Sequence, residues 1–206
     1  MSRSGVPPRI REMTLSDCPR VAEIRVRGWQ SAYKGLMPQS YLDDLDVSAE
    51  LPRRRAHFER AAGTDVVNLV AESAGVVVGW ACHGPYRDEE PRAQDTRGAG
   101  DAGDAELYAI YVDPDRIGRG VGRALLRASV ERCAAAGHDR MLLWVLQENA
   151  DARRFYERAG FTADGTEEPY EVEGVLVPEV RYARRGLSTA STPLSANGRT
   201  DGTHSA

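Results

Sequence analysis

Between Leu107 and Leu126 the chain passes from a strand through a glycine-rich turn into a helix, and this junction restricts the fold more than any other stretch. Leu107-Tyr108-Ala109-Ile110-Tyr111-Val112 is rich in aromatic and β-branched residues and is stopped by Pro114, as a strand would be. Ala124-Leu125-Leu126, continued by Ala128, Val130 and Cys133 and closed by Gly137, reads as a helix. Between the two, Gly118, Gly120 and Gly122 leave backbone N–H groups uncovered by side chains. A helix N-terminus at that point adds about half a positive charge. With Arg119 and Arg123 supplying formal charge, the junction is an anion site suited to a phosphate or pyrophosphate.

The 206 residues suit one domain with tails: a flexible N-terminus over 1–8, a domain over 9–186 and a disordered, Ser/Thr/Gly-rich tail over 187–206. Residues 87–104 are acidic, rich in Gly and Ala and without apolar periodicity, and read as a mobile loop over the sheet. A net charge of −4 and a pI near 5.7 argue against nucleic acid as the main partner. Cys18, Cys82 and Cys133 form no CxxC pair and fit a reducing compartment, and the four histidines show no ligand spacing, so no metal is expected. Without an apolar run of spanning length or an N-terminal h-region, no membrane partner is expected either, and the location read is cytoplasmic.

In chain order, Ile10–Met13 reads as a strand. Ser16 or Asp17 caps a helix carrying Val21, Ile24, Gly28, Trp29 and Ala32. Met37-Pro38 opens a short second helix, and Ser48 caps a third that Gly63 closes. Asp65–Glu72 and Val76–Cys82 form a hairpin about Ser73-Ala74-Gly75. Arg140–Leu146 is a buried strand, Asn149 caps a helix ending at Gly160, and Phe161–Ala163 and Val175–Ala183 make a last pair of strands. That succession is a mixed α/β sheet, neither a doubly wound dinucleotide-binding order nor a barrel.

Two phosphate-binding motifs fail at the glycine turn. A P-loop requires GxxxxGK[ST], and no lysine follows these glycines. A dinucleotide fingerprint requires an acidic residue at the end of the next strand, whereas Asp139 precedes that strand. Downstream, Asn149-Ala150-Asp151-Ala152-Arg153-Arg154-Phe155-Tyr156-Glu157-Arg158-Ala159-Gly160-Phe161 reads NxxAxxFYxxxGF. The glycine turn and this second motif, in that order, resemble the GNAT superfamily of N-acetyltransferases over roughly residues 66–182. The Trp29–Tyr33–Gly35–Pro38 run is similar to members of the group as well.

The resemblance implies a mixed, mostly antiparallel central sheet flanked by helices and splayed between its fourth and fifth strands. It implies acetyl-CoA as co-substrate, with the pyrophosphate on Ile117, Gly118, Arg119, Gly120, Val121, Gly122 and Arg123. The pantetheine would lie on the backbone of Ile110, Tyr111 and Val112 and near Asn149, Ala152, Phe155 and Tyr156. Glu106 is the expected general base, with Asp104 and Glu72 as weaker alternatives, and Tyr156 is the expected partner of the departing thiolate. Backbone N–H groups of 108–110 would stabilise the oxyanion. Trp29, Tyr33 and His83 are the expected acceptor-binding residues, and the acceptor is an amine of a small molecule or peptide. A homodimer is the family's common state. One departure stands out: the family usually has Gln or Arg where this chain has Ile117, with Arg116 displaced by one. That residue keeps open a non-catalytic acyl-CoA-binding or sensing module, and a third reading is an interaction domain.

Overall fold

A computed structural model describes residues 7–87 and 103–187. Most of the expected flexible N-terminus over 1–8, most of the expected loop over 87–104 and nearly all of the expected tail lie outside the described residues. In chain order the elements are β1 (Arg9–Glu12), α1 (Cys18–Ala32), α2 (Gln39–Asp43), α3 (Val47–Ala61), β2 (Val67–Ser73), β3 (Val76–Pro85) and β4 (Ala105–Val112). Then follow α4 (Val121–Ala135), β5 (Arg140–Leu146), α5 (Ala150–Arg158), β6 (Thr162–Val172) and β7 (Val175–Arg185). Short 3-10 turns precede α1 at Leu15–Asp17 and α4 at Pro114–Arg116.

The strands form one sheet in the order β1-β2-β3-β4-β5-β7-β6. All neighbours are antiparallel except β4 and β5, which are parallel and paired only at Ala105–Met141 and Glu106–Leu142. Beyond Glu106 the two strands separate, so the expected splay between the fourth and fifth strands is present.

Periodicity accounts for the layers. In α4, Val121, Leu125, Leu126, Ser129, Val130 and Cys133 are buried, a helical stripe that packs with Phe161, Leu143 and Val145 on one face of the sheet. Ala152, Phe155 and Ala159 of α5 join the same cluster. On the opposite face Cys18, Val21 and Ile24 of α1 pack on Val70, Val77 and Trp80, with Leu51 and Phe58 of α3 behind them. A third cluster joins Trp29 to Met37, Leu42, Leu146, Val172 and Val177.

One irregularity reorganises the centre. Cys82 pairs with Ala109 but His83 pairs with Leu107, which leaves Tyr108 as an extra residue on β4. A bulge of one residue reverses the side-chain alternation beyond it. Ala105, Leu107, Ile110 and Val112 accordingly all pack towards α4, while Ala109 and Tyr111 pack towards α1 and α3.

Two local expectations need correction. The third helix is capped by Asp46, whose carboxylate accepts from the Ala49 N–H at 3.1 Å; its extended backbone aims the side chain at the helix mouth, whereas Ser48 already lies inside the first turn. The sixth strand runs far past Ala163, to Val172. It is the sheet's exposed edge, with Pro169 and five acidic residues (Asp164, Glu167, Glu168, Glu171 and, in the turn, Glu173) in place of an apolar alternation. Such a composition discourages pairing with another chain and hides the strand from a pattern reading.

Candidate active site

The glycine turn is anchored before it is shaped. Asp113, buried at the end of β4, accepts from the Asp115 N–H at 3.1 Å and so caps the 3-10 turn. Its carboxylate is also paired with Arg20 and, at 3.1 Å, with Arg27, both from α1. Burial works to raise this carboxyl, but the Asp115 N–H and the two guanidiniums prevail and hold it below the ordinary range. Gly118 and Gly120 then take left-handed conformations at φ 78° and 81°, which is why glycine stands at both. Room is not the reason: a Cβ at Gly118 would meet nothing within 4 Å.

Gly120 is the N-cap of α4, and the first backbone bond back to it is Ala124 N–H to Gly120 C=O at 3.0 Å. Among the described residues, the N–H groups from Gly118 to Arg123 have no intramolecular partner. Successive unpaired donors at a helix mouth form a concave anion site. The residues therefore fit a pyrophosphate, with the backbone as the principal ligand.

That turn opens into a cleft of about 1090 Å³ that runs along the splay. One wall is Ile110, Tyr111 and Val112 of β4, part of the stretch beyond Glu106 that has no ladder partner on the β5 side. The opposite wall is α5, whose cap was legible in the sequence: the Asn149 side chain accepts from Ala152 N–H at 3.1 Å. Of the expected co-substrate residues, Ile110, Tyr111, Val112, Ile117, Gly118, Gly120, Val121, Gly122, Arg123, Asn149, Ala152, Phe155 and Tyr156 line this cleft, and Arg119 does not. Ile117 sits on the rim, 64% exposed, and Arg116 lines the cleft beside it.

The expected catalytic and acceptor residues are distributed less evenly. Tyr156 lines the cleft, packed edge-on against Phe155 and Phe161 at centroid distances of 5.2 and 6.1 Å. Burial raises its phenol above the usual value. Tyr33 also lines the cleft, with its hydroxyl 3.4 Å from that of Tyr111. Trp29 stands one turn back, buried under Tyr33 in an edge contact at 5.0 Å and covered by the Arg25 guanidinium at 4.6 Å. It supports the wall without lining it.

His83 is elsewhere: burial brings its imidazole down to about 4, with Arg132 and His138 adding to the effect. Its Nδ1 is buried without a hydrogen-bond partner, and the ring is not part of the cleft lining. Glu106 is buried and held by Arg87, whose Nη2 lies 2.7 Å from Oε1, while its backbone N–H and Nε reach Oε2 at 3.1 and 3.3 Å. It does not line the cleft. Of the weaker alternatives, Asp104 is paired with Arg140, and Glu72 with Arg11.

Further residues, of which the sequence singled out only Arg116 and Arg123, complete the cleft. Arg116, Arg127, Arg158 and Arg184 join Arg123 to give five lining arginines, against a single lining carboxylate, Glu179 of β7. Burial, with smaller contributions from Glu168 and Glu106, pushes the Glu179 carboxyl up to about 7. β7 lies between β5 and β6, so Glu179 sits in a strand paired on both sides, a placement that only the sheet order reveals.

A cleft between diverging parallel strands, with a backbone anion site at one end, invites comparison with known proteins. A family model described as "Acetyltransferase (GNAT) family" matches residues 29–161. An uncharacterized N-acetyltransferase YuaI of Bacillus subtilis (strain 168) is 28% identical over 186 residues, covering 90% of this chain and 98% of that protein. The probable N-acetyltransferase Rv2775 of Mycobacterium tuberculosis is 28% identical over 175 residues, 84% of this chain and 91% of the relative. Among solved structures, PaiA N-acetyltransferase from Thermoplasma acidophilum, in complex with coenzyme A, superposes with a TM-score of 0.65 at 17% identity, over 87% of this chain and 99% of that one. YncA from Salmonella typhimurium, a putative acetyltransferase with acetyl-CoA, gives 0.63 at 23% identity, over 93% and 100%. The chain belongs to the GNAT family of acetyltransferases.

Proposed function

We propose that this protein is an acetyl-CoA-dependent N-acetyltransferase that moves an acetyl group to a primary amine of a small molecule or peptide by direct attack on the thioester. The observation that carries the reading is the continuity of one cleft from the unpartnered N–H groups of 118–123 to the unpaired edge of β4. The first feature suits a pyrophosphate, the second an amide-bearing arm that can add to a sheet edge. Relatives of the same fold solved with coenzyme A and acetyl-CoA support the same donor.

The bound thioester would supply an activated acyl carbon with a thiolate leaving group. The chain's residues have three tasks. First, backbone N–H groups of β4 near the bulge at Tyr108, where the strand has no β5 partner, would stabilise a developing oxyanion. Second, Tyr156 offers a phenol to the sulfur. Because burial raises its pKa, it serves chiefly as a hydrogen-bond donor to the thiolate and only weakly as an acid. Third, a carboxylate must take the amine's proton, since an alkylammonium of pKa about 10.4 is neutral only about once in a few thousand molecules at pH 7. Such a base is worth roughly 10²–10⁴ in rate.

A thiol-release assay with acetyl-CoA and a panel of primary amines tests the reading. Amine-dependent release of CoA is expected. Binding of CoA by calorimetry without release on any amine would replace it with a sensing module, for which the apolar Ile117 at the rim is the favouring feature.

A further inference from the structure

We infer that Glu179, on β7, is the group that accepts the proton from the acceptor amine, and that Glu106 is a structural residue. The inference rests on the acetyltransferase reading above. Glu179 is the only carboxylate among the described residues that line the cleft. It stands opposite Leu146 of β5 and Glu168 of β6. Among the described residues its carboxylate has no hydrogen bond or ion pair. Both oxygens of Glu106, by contrast, are taken by Arg87, and Glu106 is 3% exposed and off the cleft.

The surroundings of Glu179 explain how a carboxylate could act as an adequate base. The titratable groups acting on it or felt by it are acids and phenols: Glu168 on β6, Glu106 and Tyr111 on β4, Tyr33 at the C-cap of α1 and Tyr170 on β6. Among the described residues none of the five arginines that line the cleft forms an ion pair with it, and burial and the like charges of Glu168 and Glu106 disfavour the charged form, so the carboxyl lies near 7. A base poised there is partly ionised at neutral pH and holds a proton far better than an ordinary glutamate of about 4.3.

In the step, the amine nitrogen's lone pair forms the C–N bond to the acetyl carbon and the C–S bond breaks. The sulfur leaves with the electron pair as a thiolate hydrogen-bonded by Tyr156. The proton lost from nitrogen passes to the Glu179 carboxylate, which later returns it to solvent. Before attack, transfer from ammonium to a base near 7 is uphill by about three pKa units; once nitrogen bonds to the acyl carbon its acidity rises and the transfer runs downhill.

Two measurements test this in the whole chain. The Glu179 carboxyl is followed by carbon NMR from pH 4 to 9, its signal assigned by loss in Glu179→Gln, with and without CoA. In parallel, kcat and KM are measured against pH for wild type, Glu179→Gln and Glu106→Gln, with calorimetry on CoA and thermal melting as checks of folding. Expected are titration near 7, a fall in kcat/KM of Glu179→Gln by about 10²–10⁴ with loss of the limb near pH 7, and CoA binding retained. Glu106→Gln should keep that limb, whatever its effect on stability. Titration below about 5 overturns the inference even if no acceptor has been found. So does a rise in KM alone with the limb intact, which would make Glu179 a docking group for the ammonium. A wild type that releases no thiol with any amine overturns the acetyltransferase reading and the base with it; an active wild type with an unaltered Glu179→Gln overturns the base alone.

Discussion

Gly79, in the middle of β3, sets the height at which α4 and its anion site sit above the sheet. A Cβ placed there would lie 2.9 Å from both Leu125 Cδ1 and Val121 Cγ1 and 3.2 Å from the Tyr111 carbonyl oxygen. The first two contacts belong to the opening turns of α4, the third to the strand that leads into the glycine turn. Neither side can yield without moving the other, because Asp113 is tied to α1 through Arg20 and Arg27. Overpacking of this kind costs about 1–3 kcal/mol. Replacing a strand glycine by alanine returns roughly 0.5–1 kcal/mol of chain entropy. The net expectation for Gly79→Ala is thus a loss of about 0.5–2 kcal/mol. In a chain of this size that is roughly 1–8 °C in Tm. Because the helix mouth must shift outward, CoA affinity should fall as well. Gly28→Ala is the comparison: its Cβ would meet only the Tyr111 ring, at 3.1 Å, and a ring can give way more readily than a helix. Thermal melting and calorimetry with CoA on both variants decide it. A Gly79→Ala protein with wild-type Tm and wild-type CoA affinity would refute the reasoning.

Other expectations follow from the same geometry. Tyr156→Phe should lower turnover with little change in acetyl-CoA binding, since the ring packing survives and only the hydroxyl proposed to meet the sulfur is lost; kcat and calorimetry separate the two. Arg87→Ala removes the guanidinium from the buried Glu106, leaving it the backbone N–H of residue 87, and should cost about 1–3 kcal/mol, read by denaturant unfolding, with Glu106→Gln costing less. Glu179 binds its proton more tightly folded than unfolded, so its contribution to stability is lost as pH rises from about 4.3 to about 7. Relative to wild type, Glu179→Gln should therefore melt higher at pH 8 than at pH 5; an equal difference at both would show that its carboxyl is not raised. Asn149→Ala removes the cap on Ala152 N–H and should cost roughly 1 kcal/mol, measured as a Tm shift.

What the sequence disclosed, and what it withheld, divides along the range of the interactions. The turn at Gly118–Gly122 and the cap at Asn149 were legible because local backbone geometry dictates the residue: a left-handed φ asks for glycine and a helix mouth for a side-chain acceptor. The hairpin at Ala74-Gly75 and the apolar stripe of α4 were legible for the same reason. The base was not, because its identity depends on sheet order. Glu106 and Glu179 are both acids within strands, and only the placement of β7 between β5 and β6 brings the second into the cleft. The bulge at Tyr108 had no sequence signature either, yet it decides which face of β4 each neighbour serves. His83 illustrates the converse: a polar residue in an apolar strand invited a functional role, but no residue of β3 lines the cleft.

The most direct test of the pyrophosphate site is amide hydrogen exchange across 117–123, resolved by NMR, with CoA and with pantetheine, which lacks the pyrophosphate and nucleotide. The expected result is that the N–H groups of 118–123, unpartnered among the described residues, become protected by CoA and stay unprotected with pantetheine. Protection by both compounds alike, or CoA binding that leaves these amides exchanging freely, would contradict a pyrophosphate held by the glycine turn.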